Sequence, residues 1–261
     1  MTYPQINPVF LKLGPLEFRW YGLMYILGFI SAYFIILSGV RRKGIKLSKD
    51  DVADLVFIEA LGVILGGRLG YILFYNFDYY IAHPGKLFAV WEGGMSFHGG
   101  LTGVIIAGLY YIRKHQIRFY QIADVGFVAG PVGLFLGRIG NFINGELYGR
   151  VTDVPWGMVF PNGGPLPRHP SQLYEAFLEG PVMFLVLFTI SRTVKREGVV
   201  FWAFIACYGL FRFLVEFVRE PDAQLGYLWD GLSMGQLLSL PMFVLGLGMV
   251  LYRLKRGEEP R

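Results

Sequence analysis

Three arginines, Arg68, Arg138 and Arg212, stand inside long apolar stretches of this 261-residue chain. A guanidinium in hydrocarbon costs about 2.5–3.5 kcal/mol on insertion scales, so such a residue faces a protein interior or a wet cavity and usually has a partner. The group is also a planar fork of donors that stays charged and takes phosphate oxygens in pairs. Arg138 and Arg212 are therefore candidates for holding an anionic phosphate. Glycines at 137, 140 and 145 would let a headgroup approach the backbone around Arg138, and Asn141, three residues on, could donate to the same group. The same stretch would also serve as a glycine-lined helix contact ending in a turn. Arg212 and Glu216 are four apart and can pair along one helix face, with Tyr208 one turn earlier on that stripe. For Arg68 the expected role is a structural ion pair with Glu59.

His98, in Gly94-Met95-Ser96-Phe97-His98-Gly99-Gly100, is either a general base or a helix-to-helix hydrogen bond. His83, His115 and His169 are scattered in loops, and no His/Cys/carboxylate spacing suggests a metal; no cofactor is expected. The one cysteine, Cys207, lies in an apolar run and reads as an inert buried thiol, so any sulfur chemistry must use sulfur brought by another molecule. Gly231-Leu232-Ser233-Met234-Gly235 matches the nucleophile-elbow pattern of serine hydrolases. That pattern needs a strand, a sharp turn and a helix. With no strand evident, Ser233 is expected to be a helix N-cap.

The elements that must position these residues follow from composition. The chain is 54% hydrophobic and only 16% charged, and its mean hydropathy is +0.47. A soluble domain carries about a quarter charged residues, and a membrane helix needs about 20 apolar residues. Seven such stretches occur, at residues 21–40, 52–75, 93–112, 122–142, 173–191, 199–218 and 237–252. Gly130, Pro131 and Gly133 interrupt the fourth and predict a kink or close contact there. No removable signal peptide is evident in residues 1–18. The expected fold is an all-α integral membrane protein in one catalytic domain, 1–261, with a small external cap at 143–172.

Basic residues alternate between the connecting segments. They crowd residues 41–49, 113–118, 192–196 and 253–261, whereas the opposite side holds only Lys12, Arg19, Lys86, Arg150, Arg168 and Arg219. Basic residues are retained on the cytoplasmic side. The N-terminus is then periplasmic and the C-terminus cytoplasmic, which an odd number of spans requires. The net charge of +5 is thus topology information and not a nucleic-acid footprint. In this orientation Tyr21, His98, Arg138 and Arg212, from four helices, fall at similar depth near the outer face.

Several stretches resemble the bacterial prolipoprotein diacylglyceryl transferase family. The signature-like run is Gly137-Arg138-Ile139-Gly140-Asn141-Phe142-Ile143-Asn144-Gly145-Glu146. Also similar are Arg19-Trp20-Tyr21-Gly22-Leu23-Met24-Tyr25, Ser96-Phe97-His98-Gly99-Gly100-Leu101, Arg168-His169-Pro170-Ser171-Gln172-Leu173-Tyr174-Glu175, and the run from Tyr208 through Arg212 and Glu216 to Pro221 and Asp222. The resemblance spans essentially the whole chain in family order. The segment 150–166 looks shorter than in some relatives, which bears on the size of the cap. It implies a multi-pass enzyme of the bacterial inner membrane whose active site faces the outer leaflet. Its partners would be phosphatidylglycerol, the bilayer and a prolipoprotein signal peptide carrying a lipobox cysteine; the diacylglyceryl group would pass to that cysteine with release of glycerol 1-phosphate. By the same resemblance Arg138 and Arg212 match essential arginines, and His98 and Tyr208 match residues for catalysis. Tyr21, Asn141, Glu146, Gly149 and Glu216 match positions shaping the phospholipid site.

Two other classes compete. A transporter would need a charged route to the inner face, and the inner halves of the first, third and seventh spans are largely uncharged, although Asp54 and Glu59 lie in the second. A membrane serine hydrolase would need Ser233 or Ser96 with His98. A purely structural scaffold leaves three buried arginines unexplained.

Overall fold

A computed structural model describes residues 1–14, 16–89, 93–220, 227–228 and 232–255. Pro221, Asp222, Gly231, Arg256 and Arg261 lie outside these described residues. The protein is mostly helical because a segment surrounded by hydrocarbon must satisfy every backbone group internally. In chain order it comprises β1 (Val9–Leu13), β2 (Leu16–Arg19), α1 (Trp20–Lys43), α2 (Lys49–Tyr75), α3 (Phe77–Ala82) and α4 (Phe97–His115). Then follow α5 (Phe119–Asn144), α6 (Ser171–Phe177), α7 (Met183–Thr193), α8 (Val199–Val215), β3 (Tyr227–Leu228), β4 (Leu232–Ser233) and α9 (Met234–Lys255). The expected helical architecture is present, with two small antiparallel hairpins, β1–β2 and β3–β4, in addition.

Among the described residues, five helical segments are long and apolar enough to cross a membrane: α1, α2, α5, the α6–α7 stretch Ser171–Thr193, and α9. α8 is a shorter apolar helix, and α4 falls outside both groups. Large side chains such as Phe34, Phe57, Leu185 and Leu245 are more than half exposed, a surface unsuited to water. Helix starts obey local rules. Ser48 forms a reciprocal capping box with Asp51 ahead of α2, and Ser96 accepts from Gly99 N ahead of α4. Basic residues close the last turns of α1, α4, α7 and α9, where they also complement the helix dipole. Pro131 sits within a continuous α5, and of the kink or close contact expected there the contact is present: a Cβ at Gly130 would lie 2.9 Å from the Phe204 ring. A separate interruption falls between α6 and α7, a π-helical turn Leu178–Val182 in which Gly180 leaves helical geometry. Pro181 is the reason: it lacks an N–H, its ring crowds the preceding turn, and it pushes the residue before it off the α region.

The chain forms two compact units, Leu37–Ile122 and the remainder, Met1–Ile36 with Ala123–Arg261. In the first of these, α2 and α4 pack through glycines. A Cβ added at Gly62 would lie 2.7 Å from the Gly103 carbonyl oxygen, and one at Gly70 2.7 Å from Gly99 Cα. Arg68 is buried here, but its partner is not Glu59. Its guanidinium donates to the carbonyls of Lys86, Leu87 and Gly93 at 2.6, 3.0 and 2.5 Å and to Gly94 at 3.3 Å, and lies 5.0 Å from the centre of the Tyr80 ring. Nine residues at about 100° each place Glu59 on the opposite face of α2, roughly 13 Å along the axis. The structural role holds and the ion pair does not.

In the other unit, Val128 of α5, Met183 and Leu187 of α7, and Val200 and Ala203 of α8 form an apolar core, with half-buried Cys207 packed against it. α8 and α9 approach at backbone distance. A Cβ at Gly209 would lie 2.6 Å from Phe243 N, and one at Gly246 2.6 Å from Ala206 N. The buried Asp124 carboxylate accepts from Gly198 N at 2.8 Å and Phe201 N at 3.0 Å and so caps α8 from a neighbouring helix. Residues 145–170, within the expected cap, are tied by backbone bridges between Val151 and Arg168, Met158 and Arg168, and Thr2 and Val159.

Candidate functional site

The larger unit gathers its charges at one place. Arg138 comes from α5, Glu175 from α6, Glu179 from the π-helical turn, and Arg212 from the last turn of α8. Glu216 and Arg219 follow directly. Arg138 Nη2 lies 2.6 Å from Glu175 Oε2, and its Nε 3.4 Å from Glu179 Oε2. Arg212 Nη1 is 3.5 Å from the other oxygen of Glu175, and its Nη2 is 3.1 Å from Glu216 Oε2, the pairing expected from their spacing. Arg219 Nη1 reaches Glu175 Oε1 at 3.3 Å, and its Nε lies 4.0 Å from Glu216 Oε2. One carboxylate, Glu175, therefore sits between three guanidiniums.

The carboxylates are buried (Glu175 1% exposed, Glu179 0%, Glu216 4%), while the arginine side chains keep 12–17% exposure. Charges this deep are tolerated only when paired and hydrogen-bonded, since the desolvation cost is several kcal/mol per ion. A built surround supplies some of the remaining bonds, although Glu179 Oε1 is buried without a hydrogen-bond partner. Ser233 Oγ donates to Glu216 Oε1 at 2.9 Å and accepts from Gln236 N at 3.2 Å, while Ser233 N donates to Gln236 Oε1. The expected N-cap is thus present. Ser233 is also the second residue of a two-residue strand, β4, that the sequence did not announce. A Cβ at Gly235 would lie 2.7 Å from the Glu216 carboxyl carbon, so glycine leaves room for that group. Arg150 holds the backbone beyond α8, its Nε donating to Arg219 O at 2.7 Å and Nη2 to Glu216 O at 3.1 Å. Gly149 donates to His169 O and pairs its backbone with Arg219, an approach that leaves no space for a side chain.

Beside this cluster, the ring of Tyr21 packs on α5 where a Cβ at Gly140 would come within 2.7 Å of it. Asn141 Nδ2 donates to Glu146 Oε1 at 2.8 Å, joined by Asn144 at 3.2 Å, so the Asn141 amide is occupied by Glu146. Gln172 Nε2 donates to Glu146 O at 2.6 Å and fixes the turn that carries it. Tyr208 stacks on Phe204 and interacts electrostatically with Glu179, Arg138 and Arg212. His98 belongs to the other unit, where it is exposed in the first turn of α4 with its ring edge-on to Phe97. Outside the helices, burial holds the His169 imidazole below its ordinary pKa, and its Nδ1 lies 3.2 Å from Tyr174 Oη.

Arg138, Arg212 and Glu216 are thus brought together, with each arginine already engaged by a carboxylate. Glu175, Glu179 and Arg219 complete the cluster and were not singled out from sequence. The signal for the glutamates was present: two acids four apart, both inside the predicted fifth span, 173–191. Arg219 had been assigned only to the outer loops.

A lipid-facing helical surface around a buried cluster of arginines and glutamates defines a multi-pass membrane protein with an internal polar site. The family model described as prolipoprotein diacylglyceryl transferase matches residues 8–252, and the chain belongs to that family. A Geobacter sulfurreducens protein named phosphatidylglycerol–prolipoprotein diacylglyceryl transferase is 67% identical over 260 residues, covering 100% of both chains. Proteins of the same name from Pseudomonas aeruginosa PAO1 and Vibrio vulnificus are 53% and 54% identical, covering 100% and 99% of this chain and 99% and 95% of their own.

Proposed function

We propose that this protein transfers the diacylglyceryl group of phosphatidylglycerol to the lipobox cysteine thiol of a prolipoprotein, releasing glycerol 1-phosphate. Family membership and the names of full-length relatives support the substrates. The observation that carries the chemistry is the meeting of Arg138 and Arg212 at Glu175. Two guanidiniums on one anionic oxygen pair form the arrangement that a phosphate would need.

In this reaction the substrate's sulfur bonds to the glycerol carbon that carried the phosphate. The carbon–oxygen bond breaks and its electron pair stays on the phosphate oxygen, where Arg138 and Arg212 stabilise the charge. His98 or Tyr208 assists removal of the thiol proton, and no covalent enzyme intermediate forms. Confining lipid and signal peptide to one membrane lowers the entropic cost of their encounter. Tyr21, Asn141, Glu146, Gly149 and Glu216 shape the phospholipid site. The chain acts as one catalytic domain with seven spans in the bacterial inner membrane, N-terminus and cap (143–172) outside and C-terminus inside, its site open to the outer leaflet.

The test is purified protein with phosphatidylglycerol and a lipobox peptide, followed by mass spectrometry of the peptide thiol. The expected product is a diacylglyceryl thioether, with none on a Cys→Ser peptide. Absence of adduct with inserted, folded protein overturns the proposal.

A further inference from the structure

The ion pairs described above match three guanidiniums with three carboxylates before any substrate arrives. Among the described residues, Arg138, Arg212 and Arg219 face Glu175, Glu179 and Glu216 through the contacts already given. A phosphodiester adds one negative charge. In a medium this poorly solvated, an uncompensated charge is expelled or neutralised. The three carboxylates are not equally placed to absorb that change. Glu175 is held by three guanidiniums, and Glu216 by Arg212 and by the Ser233 hydroxyl. Glu179 has one ionic contact, the 3.4 Å approach of Arg138 Nε. Buried Glu175 Oε2 and Glu216 Oε2 also lack hydrogen bonds but each faces a guanidinium, whereas among the described residues Glu179 Oε1 has neither. The titratable groups facing it are Arg138 from α5, Tyr208 and Arg212 from α8, and Glu175 one turn earlier on its own segment.

Resting on the proposed function, we infer that Glu179 is the charge-compensating residue of the headgroup site: it takes up one proton as an anionic phospholipid binds, freeing the Nε side of Arg138 for the phosphate while Nη2 stays on Glu175. Glu179 acts through Arg138 and is a positioning residue. Binding an anion then consumes a proton, so affinity falls about tenfold for each pH unit over the range of full uptake.

The experiment titrates full-length protein in neutral detergent micelles with dioctanoyl phosphatidylglycerol by calorimetry, in two buffers of different ionisation enthalpy. Wild type should take up about one proton per lipid between the pKa of Glu179 in the free protein and its higher pKa in the lipid-bound protein, with the matching pH slope in affinity. Phosphatidylcholine of the same chain length, which carries its own cation, should take up none. Glu179→Gln, which carries no titratable proton, should bind phosphatidylglycerol with no uptake and a flat pH profile. Zero uptake by wild type overturns the inference even if no variant folds, and unchanged uptake in Glu179→Gln overturns the assignment to this residue. Transfer to a cysteine peptide by the same wild-type preparation tests the parent function separately. Transfer without uptake removes only Glu179's role.

Discussion

Replacing Arg138 separates the two duties its geometry assigns. The side chain neutralises Glu175 at 2.6 Å and Glu179 at 3.4 Å, both essentially without solvent. Arg138→Ala leaves these carboxylates undercompensated, and breaking a buried pair in this way costs about 3–5 kcal/mol. In a protein of this size that lowers the unfolding midpoint on the order of 10 °C. Loss of activity in that variant would therefore be ambiguous. A second substitution resolves it. Arg138→Met with Glu179→Gln removes one charge of each sign and keeps the volume, so stability should return to within about 1.5 kcal/mol of wild type. Transfer should stay depressed by about 10²–10³-fold, the loss typical of removing one donor that stabilises developing charge. Thermal unfolding in detergent gives the first quantity and single-turnover mass spectrometry of a lipobox peptide the second. Recovery of transfer to within tenfold in the double variant would show Arg138 to be structural, and persistent instability would show that the pairing was misjudged.

Ser233→Ala removes an N-cap and a hydrogen bond to Glu216, destabilising by about 2–4 kcal/mol; insensitivity of wild type to a serine-reactive phosphonate should accompany it, and covalent inactivation would instead favour a serine hydrolase. Gly209→Ala would press a methyl to 2.6 Å of Phe243 N, and overpacking of a helix crossing costs about 1–3 kcal/mol; an unchanged midpoint would mean that α8 and α9 separate easily. His169 contributes in the acid range. Burial favours its neutral form in the folded protein, so the unfolded chain binds the extra proton; that stability is complete above the unfolded pKa and is lost as pH falls below it. Hydrogen exchange of the segment bearing Gly149 and Arg150, which pair with His169, should quicken on acidification, and His169→Asn should abolish that component.

Local order was written in local sequence. The apolar stretches mark the helices, because backbone polar groups in hydrocarbon have no other partner. Ser48, Ser96 and Ser233 sit where helix starts need an oxygen, and Arg212 finds Glu216 because i and i+4 share a face. Arg138 and Arg212 were legible as costly charges that must have partners. The identity of those partners was not. Arg68 passes over Glu59 for four carbonyls on another segment, and Glu175 gathers arginines from α5, α8 and the chain beyond it. Gly180 and Pro181 turn Glu179 into the same cluster through a break that periodicity did not show. Sequence alone therefore determined which apolar stretches are helical, to within a few residues at their starts, and which side chains could not be left unpaired. Tertiary structure decided the pairing, because a buried charge is satisfied by whatever lies within about 4 Å, and that distance is set by helix crossings rather than by separation along the chain.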